Sequence, residues 1–129
     1  MKPLSAVAGI SLVYDLTIGI GMLAATGTFA GLFGMPVPEP VLFAKLLGLF
    51  LIAVGLGYVA PYRDPDAHRW YMWIFGPGLK GAGATAFIVD YLVNQSPAAF
   101  LLFAATDGSL ALATWWALRR PSGRSSARS

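Results

Sequence analysis

Cysteine is absent from the 129 residues, which excludes disulfides, thiol redox chemistry and cysteine-ligated metal. Histidine occurs once, as His68 in a polar connection, so a haem or pigment held by histidine inside an apolar span has no ligand. No metal site and no resident cofactor are expected. Charge is scarce too. Asp, Glu, Lys and Arg make up 12% of the chain against 57% apolar residues, and soluble domains average about 25% charged. This composition belongs to the membrane class. The net charge of +3 carries no nucleic-acid signal, because the basic residues flank apolar stretches.

What the chain does contain is four apolar stretches, at about 4–26, 41–60, 70–93 and 98–118. A helix crossing a ~30 Å hydrocarbon layer needs about 20 residues, so each fits one crossing. The expectation is an all-α integral membrane four-helix bundle over residues 1–118, followed by a basic, flexible tail over 119–129. Asp15 in the middle of the first stretch argues against a cleaved signal peptide. Residues 27–33 extend the first helix or lie at the interface, and the alternating prolines of 35–40 favour an extended turn. Asp64 caps the connection before Pro65; Ser96 caps the last helix and Pro97 starts it. Pro77 within Gly76-Pro77-Gly78 predicts a kink in the third helix.

Four crossings place both termini and the 62–69 connection on one side. That side holds Lys2, Arg63, Arg69, Arg119, Arg120, Arg124 and Arg128, and the opposite loops hold no lysine or arginine. The bias makes the termini cytoplasmic. Trp70, Trp73, Trp115 and Trp116 then fall in one interfacial belt, with Arg63, Arg69, Arg119 and Arg120 beside the headgroups.

The stretch from Gly76 to Asp90 organises the reading, since it sets Lys80 deep in an apolar span. An ionised group at that depth costs about 3 kcal/mol on insertion scales and needs a partner or a task. At about 1.5 Å per residue, Asp15, Lys80 and Asp107 all approach the midplane, and Lys45 and Asp90 form an outer layer. Helical spacing puts Lys45 with Gly48, Ile52 and Gly55, and Lys80 with Gly76, Gly83, Phe87 and Asp90. Asp15 shares a face with Gly19 and Met22, and Asp107 with Ala104, Ala111 and Thr114. Small residues beside charges mark helix seams. Tyr14 and Thr106, each beside an acid, are candidates for hydrogen bonds in the interior, although adjacent residues point to different faces.

Gly55-Leu-Gly-Tyr58, Arg63-Asp-Pro-Asp-Ala-His-Arg69 and Gly76-x3-Lys80 resemble small bacterial four-helix membrane proteins of the DoxX-like kind. The resemblance covers about residues 48–90. It implies a multi-pass inner-membrane protein and, through quinone-linked relatives, a bound lipid or quinone; it transfers no catalytic residue. Small multidrug transporters also carry an acid in the first of four spans. Their third- and fourth-span glycine and aromatic patterns are missing here, and Lys80 near Asp15 would repel cationic substrates. The functional expectation is a non-catalytic accessory or scaffold subunit of a larger membrane complex or homo-oligomer, held in register by the Lys/Asp network. The alternative is a proton-coupled carrier or quinone-associated protein using Asp15, Lys80 and Asp107. Expected partners are the lipid bilayer and other membrane subunits or further copies, with no nucleic acid.

Overall fold

A computed structural model describes residues 2–37, 39–95 and 97–120. The cap assigned to Ser96 and the tail from residue 121 lie outside the described residues. All regular structure within them is helical. Helix α1 (Pro3–Ala24) is followed by short α2 (Thr26–Leu32), then α3 (Leu42–Gly57) and α4 (Val59–Arg63). Then come α5 (Arg69–Trp73), a π-helical segment (Ile74–Lys80), α6 (Gly81–Asn94) and α7 (Ala99–Leu118). Three helical stretches are long and apolar enough to cross a membrane: Pro3–Ala24, Leu42–Arg63 and Ala99–Leu118. The surface agrees with that reading, since Phe43, Leu46, Leu49, Leu92, Val93 and Leu112 are exposed while Asp15 and Lys80 are buried.

Local chemistry explains where helices break. The first apolar run stops at Ala25, and the following apolar residues form separate α2 instead of lengthening α1. Gly34, at φ +64°, closes α2: its N–H reaches the Gly31 carbonyl at 3.2 Å and that of Met35 reaches Ala30 at 2.9 Å. A left-handed residue at that position is most easily glycine. The second run continues to Arg63, past the expected exit at Pro61. The chain already shifts at Tyr58, whose N–H bonds Gly55 one residue short of the α-helical partner, at 3.1 Å. Pro61, lacking an N–H, therefore costs little there.

At Pro77, where a kink is expected, the structure has the π-helical segment Ile74–Lys80. The wider turn accommodates the proline ring and the lost backbone donor.

Helix α1 is the hub. It packs along α3 and α4 on one side and against α7 on another, and α7 packs in turn on the π segment and α6. Glycine permits the tightest seam: a Cβ on Gly19 would lie 2.8 Å from the Gly48 carbonyl oxygen, and one on Gly48 would lie 2.7 Å from that of Gly19. Leu4, Val7, Ala8, Val54, Tyr58, Met72, Ala117 and Leu118 form the dense core at one end. Lys2 pairs there with Asp66 at 2.6 Å, and the Arg69 guanidinium donates to the Leu118 and Arg120 carbonyls. The start of α1, the 64–69 connection and the end of α7 thus meet at one end of the bundle.

Candidate functional site

Lys80 closes the π segment and is 4% exposed, with Asp15 opposite at 2%. Its ammonium donates to both Asp15 oxygens, at 3.2 and 3.0 Å, and to the Tyr58 hydroxyl at 3.3 Å. Tyr58 in turn donates to the Phe75 carbonyl at 3.1 Å. The Tyr71 hydroxyl donates likewise to the Val54 carbonyl. Two tyrosines therefore stitch the third helical stretch to the second around the buried charge. The ammonium is thus met by a carboxylate and a hydroxyl, as a charge in this setting requires.

A second polar group lies across α1 and α7. The Tyr14 hydroxyl is 2.5 Å from the Thr106 oxygen, and the Thr106 hydroxyl faces the Leu102 and Phe103 carbonyls at 3.1 Å each. The Tyr14 hydroxyl also lies beside the half-buried Asp107 carboxylate. The ion pairs formed among the described residues are Lys80–Asp15 and Lys2–Asp66; Asp107 joins neither.

These groups line one end of a cavity of about 360 Å³. Tyr14, Asp15, Lys80, Gly83 and Asp107 provide its polar floor; Met22, Phe29, Leu47, Phe50, Phe87 and Phe103 are among its apolar walls. Part of the wall is an aromatic ladder, with ring centroids 5.7 Å apart for Phe87–Phe100, 6.0 Å for Phe87–Phe103 and 6.4 Å for Phe29–Phe103. The volume lies within the range of small-molecule sites, and a mostly apolar wall with a few converging polar groups is their usual chemistry.

Of the expected charge network, the structure joins Lys80 to Asp15 and brings Asp107 to the same cavity. Lys45 is engaged elsewhere: its ammonium donates to the Leu23 carbonyl at 3.1 Å. Asp90 accepts from Asn94 at 2.6 Å. The outer Lys45–Asp90 layer is thus absent from the ion pairs of the described residues, since α1 is the principal neighbour of α3 and α7 that of α6. Gly76 is buried against Thr114, and Gly78 sits over the Trp73 carbonyl. Trp70, Trp73, Trp115 and Trp116 are exposed. Arg119 lies over the Trp115 ring at 4.8 Å and Arg120 over Trp116 at 4.7 Å; Arg63 is exposed as well. Asp64 caps its turn by accepting from Ala67 at 3.2 Å.

Sequence reasoning missed Tyr58 as a partner: it is wholly buried and serves Lys80. Tyr14 and Thr106, expected as interior hydrogen-bonding residues, bond to each other across the helices. The signal for Tyr58 was its place in Gly55-Leu-Gly-Tyr58, one turn after a glycine of the seam. Compared with known proteins, the chain matches no family model, no curated protein and no solved structure at significant similarity.

Proposed function

We propose that this is a multi-pass membrane protein that binds or carries a small amphipathic molecule in the cavity floored by Asp15, Lys80 and Asp107. The supporting observation is the cavity itself. A network serving only to hold helices would sit in a closed seam, whereas here about 360 Å³ of space reaches both members of the buried pair and a further acid. In this reading the helical run over 69–94 also crosses the bilayer, making four crossings with both termini cytoplasmic, in a bacterial inner membrane. The lysine and arginine bias supports that orientation. The DoxX-like resemblance adds a quinone to the neutral molecules that would fit.

A second reading is a non-catalytic accessory or scaffold subunit. The saturated Lys80–Asp15–Tyr58 cluster and the tight Gly19–Gly48 seam favour it, since both fix register without requiring a ligand. Native mass spectrometry of the protein released from its source membrane separates the two. A small-molecule adduct that is lost in Gly83→Leu, which fills the cavity floor, supports binding. A stable assembly with another membrane protein and no adduct in the wild type supports the scaffold.

A further inference from the structure

Resting on the ligand-cavity reading, we infer that the cavity selects an organic monocation, an ammonium on an apolar or aromatic body, and that Asp107 with Tyr14 receives the charged head. The inference starts from a charge balance at the floor. Asp15 and Lys80 neutralise each other at 3.0 Å and are both almost fully buried. The Lys80 ammonium is held by the two Asp15 oxygens and Tyr58, so its charge is already balanced within the floor.

Asp107 is placed differently. It lines the cavity on α7, makes no ion pair among the described residues, and is half-buried instead of enclosed. One of its carboxylate oxygens faces Gly83: even a Cβ there would stand 3.5 Å away. The missing side chain leaves room for a head group beside the carboxylate. The titratable and charged groups around Asp107 include Tyr14 and the Lys80–Asp15 pair, whose two charges offset each other. The cavity thus offers one net negative charge, in an apolar setting where a charge-assisted hydrogen bond is strong.

The walls suit such a ligand. Phe87, Phe100 and Phe103 line the same cavity as a ladder of rings. Aromatic faces attract an organic cation and pack equally well against an aromatic body. Repulsion by Lys80, the sequence-based objection to a cationic ligand, does not apply to a lysine already paired with Asp15.

The test uses full-length protein in phosphatidylcholine nanodiscs and three probes of matched size: 4-phenylbutylamine, 4-phenylbutanol and 4-phenylbutyrate. Binding is read as thermal stabilisation through intrinsic tryptophan fluorescence. Partition into lipid is common to wild type and variants and drops out of their comparison. The expected result is that the amine binds, the butyrate does not, and Asp107→Asn weakens the amine roughly tenfold or more. Asp107→Glu should retain binding, and melting curves without probe establish that both variants are folded. Equal binding of amine and alcohol, or an amine affinity unchanged in Asp107→Asn, overturns the cationic assignment while leaving the cavity reading intact. Preference for the butyrate does the same. If no probe binds, and the cavity-filled Gly83→Leu behaves as wild type toward all three, the inference and the ligand-cavity reading fall together.

Discussion

The ammonium of Lys80 meets both carboxylate oxygens of Asp15, 65 positions away in the chain, at 3.2 and 3.0 Å. That contact ties the π-helical segment to the hub helix α1, and both members are buried. Removing one partner strands a charge where solvation is poor; removing both strands nothing. Lys80→Met is therefore expected to lower stability by about 3 kcal/mol, and Asp15→Asn by a similar amount. The double variant should recover most of the loss. Melting of the three variants in mild detergent measures it, and a double variant no better than Lys80→Met would argue that the pair adds little.

Tyr58→Phe keeps the ring in the core but removes the hydroxyl between Lys80 and the Phe75 carbonyl. Loss of these hydrogen bonds is expected to cost about 1–3 kcal/mol, the usual penalty for a buried polar group left unsatisfied. The same melting assay reads it. Tyr62→Phe serves as the control, since Tyr62 is exposed and its replacement should fall within about 0.5 kcal/mol of wild type.

The Gly19–Gly48 seam gives a steric prediction. Gly48→Ala would set a methyl 2.7 Å from the Gly19 carbonyl oxygen and 2.9 Å from the Leu23 nitrogen, and neither backbone atom can move aside alone. Overpacking of this kind costs about 1–3 kcal/mol. Gly27→Ala and Gly31→Ala meet nothing within 4 Å and should melt with the wild type. Equal melting of Gly48→Ala and Gly27→Ala would contradict the close approach of α1 and α3.

The number of crossings is directly measurable because the chain has no cysteine of its own. Glu39→Cys, Arg63→Cys and Asn94→Cys each place a single thiol at an exposed position. Four crossings with cytoplasmic termini predict that an impermeant maleimide labels residues 39 and 94 in intact cells. Residue 63 should react only after permeabilisation. Labelling of 39 and 94 from opposite sides would remove the 69–94 run from the bilayer.

Tyr14→Phe and Thr106→Val both delete the hydroxyl contact between α1 and α7. Each is expected to destabilise by about 1 kcal/mol. The double variant should cost little more than either alone, because both remove the same bond. Fully additive losses in the melting assay would show that the two hydroxyls act separately.

Much of this was legible in the sequence, and for a simple reason. Apolar length and the scarcity of charge are properties of contiguous chain, so the helical stretches at 3–24, 42–63 and 99–118 follow from composition and the length a bilayer demands. Proline at 77 announced an irregular third stretch, and the lone lysine at 80 announced a partner among the acids. Whether Asp15 or Asp107 would be that partner was beyond periodicity, because pairing depends on which helices become neighbours. The fold chose Asp15 by bringing the Lys80 ammonium of the third stretch across to α1, and it sent Lys45 to the Leu23 carbonyl of α1 as well. Tyr58 and the Tyr14–Thr106 bond were hidden for the same cause: the direction of a side chain across a seam is set by glycine-permitted distances between helices far apart in sequence. The cavity belongs wholly to the tertiary structure. It exists because large side chains fill one end of the bundle while Phe29 and Ala30 of α2 help to wall the cavity, a volume that no pattern along the chain encodes.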